Sequence, residues 1–519
     1  MALLLAAPWA QAAKKKPRVK PLAERIEAVL AEPDIARGHW GIEVVSLDTG
    51  RTLYARNAGQ LFVPASNVKL LVTAAALELI GPDFRHRTTV ETASAPDRYG
   101  RIAGDVLLVG RGDPNLSGRT LPYNLRTERA LPPVRVLEDL ADQVAARGVK
   151  VIEGGVIADD TYFAFERYGE GWAQDDLSRP WGAPVSALTL NDNVIFVNVL
   201  PADRAGERAF VSLDPFAGDF ELDNRVITTA SGSGPRNINV QRAPGASQIV
   251  LWGSIALDDP GYSEALALDD PAEFAARIFR RLLERRGIAI YGKARAQHLD
   301  PAAPTTFRIE ATDTAGGGTF SQPAPAAAPL PLVLARHESE PLVEDLRVIN
   351  KVSQNLHAEL TLRLLGREKG TSGTVEAGLE ALRAFLTRIG IAPGEYDIYD
   401  GSGLSRKNLV TPRALVRLLR YVSGQNWFPL YESTLPVAGV DGSLANRFEL
   451  SLARAGVRAK TGSLGHVNAL SGYAQTAAGE RVAFAILANN HILSRSRAEQ
   501  VIDRIVEVIV EERTRSKRK

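Results

Sequence analysis

The stretch Pro64-Ala65-Ser66-Asn67-Val68-Lys69 runs straight into Leu70, Leu71, Val72, Ala74, Ala75, Ala76 and Leu77, and Gly81-Pro82 closes the run. Apolar residues at this density before a Gly-Pro stop predict a helix that starts near Ser66 and packs into a core. Residues i and i+3 share a helix face, which hangs the Lys69 amine one turn from the Ser66 hydroxyl. A serine becomes a nucleophile only beside a base. A lysine becomes a base only when burial or neighbouring charge lowers its pKa. Arginine cannot take that role because it does not deprotonate in proteins. Lys69 is the only lysine between Lys20 and Lys150 in a chain that otherwise draws positive charge from arginine. The tetrad alone is weak, since Ser516 to Lys519 repeats it in a basic tail without any such setting.

Two further short motifs follow in order. Ser353-Gln354-Asn355 lies between two helical stretches, and Lys460-Thr461-Gly462-Ser463 precedes the penultimate strand candidate. Either one is cheap in isolation. The succession S-x-x-K, S-x-N, K-T-G is the signature of penicillin-interacting serine acyltransferases.

The rest of the chain reads as alternating textures. Helices are expected over 21–31, 134–147, 271–286, 342–352, 354–365, 375–389, 412–422 and 494–513, from apolar positions at helical spacing. Trp40, Ile42, Val44 and Ser46 alternate with Gly41, Glu43 and Val45 ahead of Asp48-Thr49-Gly50, which predicts a hairpin. Strands are expected over 105–109, 151–158, 193–200, 209–213, 248–257, 469–476 and 481–487. Gly110-Arg111-Gly112-Asp113-Pro114 lacks the third glycine and the following helix of a nucleotide loop, and reads as a turn. A chain of 519 residues exceeds one core, so two or three domains are expected.

Composition narrows the function classes. A net charge of +2, with positive charge gathered at the two ends, gives no case for nucleic acid. No cysteine is present, which removes disulfides and thiolate metal sites. The seven histidines show no H-E-x-x-H or other metal spacing, and His337 and His466 read as packed or surface residues. The apolar start, the small-residue Ala10-Gln11-Ala12 and the lysines after it read as a truncated signal peptide over 1–13, hence an exported, periplasmic or extracytoplasmic protein. No other stretch nears the roughly 20 apolar residues of a membrane span, so no transmembrane span is expected.

On these motifs the chain resembles the low-molecular-mass penicillin-binding proteins of the D-alanyl-D-alanine carboxypeptidase/endopeptidase type. Their hallmark is a large insertion between the first two motifs, and here the gap from Lys69 to Ser353 takes up more than half the chain. Class A β-lactamases and simpler carboxypeptidases have a much shorter gap. The stretches 104–116 (GDVLLVGRGDPNL), 182–194 (GAPVSALTLNDNV), 337–365, 400–412 (DGSGLSRKNLVTP) and 440–444 (VDGSL) resemble the family too. The resemblance implies an α/β (α+β) fold: a transpeptidase core with an antiparallel five-stranded sheet and a helical cluster, plus inserted mixed or β-rich domains remote from Ser66. It divides the chain into a discontinuous catalytic domain of 21–90 and 332–513 and inserted domains over 91–300; composition adds a flexible Pro/Ala/Gly-rich segment over 301–331, a departure from the family, and a basic tail over 514–519.

The resemblance also implies roles. Ser66 attacks, Lys69 takes its proton, Ser353 relays a proton to the leaving amine, and Asn355 holds the substrate amide and the Lys69 amine. Lys460 and Thr461 take the substrate carboxylate, and Gly462 and Ser463 complete the binding edge, with the backbone N–H groups of Ser66 and Ser463 as the oxyanion hole. No metal or organic cofactor is implied. The implied partners are peptidoglycan stem peptides, with β-lactams as covalent inhibitors. The turns at 400–405 and 441–444 read equally as shapers of the cleft and as contacts to substrate. A serine β-lactamase or esterase, or a peptidoglycan-binding scaffold with a vestigial site, stays open at this point.

Overall fold

A computed structural model describes residues 20–121, 131–216, 218, 220–302 and 331–513. The expected leader over 1–13, the tail over 514–519 and nearly all of 301–331 lie outside the described residues.

Both ends of the chain build one antiparallel sheet. Its strand order is Arg458–Leu464, Val467–Gln475, Arg481–Asn489, His39–Ser46, Thr52–Arg56. The N-terminal hairpin therefore pairs with the C-terminal strands, with His39 opposite Asn489 and Ser46 opposite Val482. Alternation along Arg481–Asn489 sorts its side chains to two cores. Val482, Phe484, Ile486 and Ala488 face the terminal helices Leu22–Leu30 and Arg495–Val510. Ala483, Ala485 and Leu487 face a helical cluster. A strand covered on both faces reads as a continuous apolar run, as this one does.

The cluster surrounds the helix Val68–Leu79, of which Val68 to Leu77 are all buried. Around it pack Leu342–Lys351, Asn355–Lys369, Val375–Arg388, Pro412–Ser423 and Phe428–Thr434. Ser66 precedes the α-helix, in a 3₁₀ turn over Ala65–Asn67, rather than forming its first turn.

A second, mixed five-stranded sheet runs Ala294–Leu299, Val156–Ala164, Val106–Val109, Arg87–Thr92, Leu332–Glu338. The helices Arg135–Ala146 and Pro271–Arg285 share its core. Leu332–Glu338 thus pairs with Arg87–Thr92 here and not in the first sheet. Three three-stranded sheets, around Gln248–Ala256, Val194–Leu200 and the short Val151–Ile152, complete this mixed part. The strand expected over 151–158 is two strands, Val151–Ile152 and Val156–Ala164, in different sheets. The break falls at Gly154-Gly155, where a Cβ on Gly155 would lie 2.0 Å from the Lys293 carbonyl oxygen. Backbone passes too close there for any side chain.

One close approach ties the first sheet to the segment ahead of Ser66. The Phe62 ring stacks on His39 with centroids 4.3 Å apart, and it fills the space a Cβ on Gly41 would need, 2.3 Å away. Phe62 also exchanges backbone hydrogen bonds with Val410. Gly41→Ala should lower the thermal unfolding midpoint, since overpacking of a core costs about 1–3 kcal/mol. Adding Phe62→Leu should return part of the loss; circular dichroism melts of the two variants check both statements.

Candidate active site

The Ser66 turn is wedged between the edge strand of the first sheet and the turn at 400–405. Ala65 holds φ 47 and Gly403 φ 82, and a Cβ on Gly403 would sit 1.9 Å from the Ala65 carbonyl oxygen. On the other side, a Cβ on Gly462 would lie 2.8 Å from the Pro64 carbonyl oxygen. The Asn67 amide Nδ2 donates to the Lys460 carbonyl at 3.3 Å. Upstream, the Asn489 side chain exchanges two hydrogen bonds with the Val63 backbone, at 2.7 and 3.1 Å. The Ser66 turn is thereby fastened to two strands of one sheet.

Lys69 is fully buried. Its amine donates to Ser66 Oγ at 2.8 Å, Asn355 Oδ1 at 2.7 Å and the Ser402 carbonyl at 2.5 Å. Burial pulls its pKa down to about 7, against the raising influence of Asp400 and Glu359. At such a value the neutral amine is available near neutral pH, which fits a base beside a serine hydroxyl.

The second lysine serves the second serine. Lys460, also fully buried, donates from Nζ to Ser353 Oγ at 2.9 Å and to the Thr461 carbonyl at 2.8 Å. Burial, and then the nearby Lys69, push its pKa well down. Ser66, Lys69 and Asn355 thus form one hydrogen-bonded group and Ser353 and Lys460 a second, the two lysines near enough for the charge of one to act on the other. Thr461 and Ser463 lie on the same edge strand, with Thr461 Oγ1 2.7 Å from Ser443 Oγ. The Ser463 hydroxyl accepts from Asn468 Nδ2 at 3.2 Å.

The two turns sort differently. Asp400 is a cap: its carboxylate accepts from the backbone N–H of Gly403 at 2.8 Å and of Ser405 at 2.6 Å, and from Asn408 Nδ2 at 2.7 Å. The buried Glu359 holds the same turn through the N–H groups of Gly401 at 3.0 Å and Ser402 at 2.8 Å. Together they aim the Ser402 carbonyl at Lys69. Asp441 forms an ion pair with Lys351, two residues before Ser353, and its turn brings Ser443 to Thr461. His337 and His466 stand outside this set; His337 faces Asp113 at 3.4 Å and His466 Nδ1 lies 2.9 Å from the His491 carbonyl oxygen.

One expectation about the insertion needs correcting: part of it is not remote from Ser66. The Trp181 carbonyl accepts from Asn355 Nδ2 at 2.8 Å, Trp172 Nε1 donates to Asp400 at 2.9 Å, and the Glu170 carbonyl accepts from Ser405 Oγ at 2.6 Å. These contacts use backbone oxygens or scaffold carboxylates, so no side-chain motif marks them. Their only trace in the sequence is that 182–194 adjoins them and resembles the family.

Comparison with known proteins agrees with this geometry. The profile of the D-Ala-D-Ala carboxypeptidase 3 (S13) family matches residues 22–306 and 317–511. The chain is 36% identical over 502 residues to a D-alanyl-D-alanine carboxypeptidase of Actinomadura sp. (strain R39), covering 95% of this chain and 85% of that protein. It is 26% identical over 438 residues to the D-alanyl-D-alanine carboxypeptidase DacB of Haemophilus influenzae, covering 83% and 82%. The crystal structure of penicillin binding protein 4 (dacB) from Haemophilus influenzae superposes with a TM-score of 0.73 at 24% identity, over 93% of this chain and 98% of that one, which speaks for the fold. On a profile match that spans both ends of the chain and the insertion between them, this protein belongs to the D-Ala-D-Ala carboxypeptidase 3 (S13) family of serine peptidases.

Proposed function

We propose that the protein removes the terminal D-alanine from peptidoglycan stem peptides through a Ser66 acyl-enzyme, and cleaves peptide crosslinks by the same chemistry with a different leaving amine. The observation that carries this reading is the buried Lys69 amine, 2.8 Å from Ser66 Oγ, with its pKa brought down to about 7.

In this reading Ser66 Oγ attacks the carbonyl carbon of the penultimate D-alanine and passes its proton to the neutral Lys69. The negative oxygen of the tetrahedral adduct meets the backbone N–H groups of Ser66 and Ser463. The C–N bond then breaks. The departing amine of the terminal D-alanine collects a proton through Ser353, which Lys460 holds from the other side at 2.9 Å. Asn355 binds the substrate amide as well as Lys69. Lys460 and Thr461 receive the terminal carboxylate, whose charge draws a proton onto Lys460. Water hydrolyses the ester and returns Ser66. A β-lactam ring opened by the same attack leaves a bulky acyl group on Ser66. In this reading the protein works outside the cytoplasmic membrane, which the A-x-A stretch near Ala12 supports.

The intact mass after mixing with benzylpenicillin should rise by the whole drug and stay raised for minutes. Ser66→Ala should abolish the gain. Rapid drug turnover without a lasting adduct would point instead to a β-lactamase, and neither adduct nor turnover in a folded sample would leave a binding scaffold.

The acylation rate should also depend on pH with a defined sign. Below about 7 Lys69 carries its proton and cannot accept another; above it the amine is free. The second-order rate with benzylpenicillin should therefore rise with pH through about 7 and level off, in stopped-flow or quenched mass measurements. Lys69→Met should remove the step along with a general-base contribution of about 10²–10⁴ in rate.

A further inference from the structure

The turn that carries Ser353 needs a restraint that the catalytic set does not supply. Ser353 holds φ 64, in the left-handed region that a residue with a Cβ rarely adopts. Asn355 is fixed from one side by Lys69 and from the other by the Trp181 carbonyl. Gln354 between them points elsewhere. Its Oε1 accepts from the Leu356 N–H at 3.1 Å and caps the helix Asn355–Lys369, while its Nε2 donates to Asp192 Oδ2 at 2.8 Å.

Asp192 belongs to the insertion and sits in a run of its own unusual backbone: Asn191, Asp192 and Asn193 hold φ 52, 54 and 56. The flanking asparagines secure that run. Asn193 Oδ1 accepts from the Leu190 N–H at 3.0 Å, and Asn191 Nδ2 donates to the Val194 carbonyl at 3.0 Å. The Asp192 carboxylate is buried and accepts from the two terminal nitrogens of the Arg119 guanidinium, at 3.1 and 2.8 Å. His357, one helical turn after Gln354, bridges Asp192 at 3.2 Å and Asp345 at 2.6 Å. Burial works against a charged His357, yet the two carboxylates outweigh it and raise its pKa. Arg119 and His357 together enclose Asp192, and Arg119 also lies 3.3 Å from His357 Nε2, so the carboxylate is held from several sides. Three consecutive left-handed residues, none a glycine, aim one carboxylate at the middle residue of S-x-N.

We propose that Asp192 is a positioning residue: through its hydrogen bond to Gln354 it holds the Ser353 turn in the conformation that places the Ser353 hydroxyl against Lys460. This rests on the reading of Ser353 as the proton relay. The insertion then does more than border the cleft; it sets the geometry of a group in the reaction.

The bond can be cut from either end. Asp192→Asn keeps the volume and presents an amide to the Gln354 donor. Gln354→Glu keeps the cap on Leu356 and presents a carboxylate to Asp192. Each variant is made in the wild-type chain and in Ser353→Ala, with second-order acylation by benzylpenicillin and the thermal midpoint measured for all. In the wild-type background each should slow acylation about tenfold to a hundredfold, the weight of one charge-assisted hydrogen bond. In the Ser353→Ala background each should change the rate less than about twofold, because the group they position is already gone. Equal slowing in both backgrounds, or no slowing in either, overturns the clamp and leaves the relay standing. Ser353→Ala acylating at the wild-type rate overturns the relay itself, and the clamp with it. If Asp192→Asn does not fold, the half-buried Gln354 decides the matter alone.

Discussion

Everything at the site answers to one constraint, the burial of a lysine amine with no carboxylate bonded to it. The three acceptors of Lys69 are a hydroxyl, an amide oxygen and a backbone carbonyl. A protonated amine in that position gives up its hydration and gains no ion pair within hydrogen-bond reach, which is what lowers its proton affinity. Asp400 and Glu359 pull the other way from beyond contact, spending their oxygens on the backbone of the 400–405 turn. Had either carboxylate bonded the amine directly, the lysine would have stayed charged and the serine beside it inert. The left-handed Ala65, the close seating of Gly403 and the Asn67 tether all serve to bring a hydroxyl to that amine.

What could be read from the residues divides by chemistry. The S-x-x-K, S-x-N and K-T-G motifs were legible because their work requires particular side chains in a fixed order, and Ser66, Lys69, Ser353, Asn355 and Lys460 do converge. Backbone contributors were not legible. The Ser402 and Trp181 carbonyls act as acceptors that any residue type could provide, so the residues mark at most the turn at 400–405 and not the oxygen that does the work. The strand read over 151–158 was continuous in propensity, but tertiary crowding at Gly155 split it between two sheets. Alternation ahead of a turn marked the hairpin from Trp40, and continuous apolar runs marked the strands near the C-terminus, which are buried on both faces. Which strand lies beside which depends on contacts hundreds of residues apart, which no local pattern records.

The insertion changes character once its contacts are traced. Its main core is separate in composition from those that hold the catalytic sheet, yet Glu170, Trp172 and Trp181 reach the site and Glu166 accepts from the buried Arg363. The reacting groups therefore lie in a seam, with the edge strand Arg458–Leu464 on one side and inserted backbone on the other. Phe163, Val185 and Ala187 of the insertion also join the core of the helical cluster, so the seam is packed as well as hydrogen-bonded.

The pairing of His39–Ser46 with Arg481–Asn489 also has a consequence for biosynthesis. Strands so far apart in sequence cannot meet until almost the whole polypeptide has been made, and distant pairings of this kind are the slow step in assembling a sheet. The Ser66 turn leans on Asn489 and on Lys460, so Ser66 has no finished surroundings while the chain is still emerging. An incomplete translation product would carry the serine and the lysine but not the environment that makes them reactive. The topology thus withholds a cell-wall hydrolase from activity until its last strands arrive.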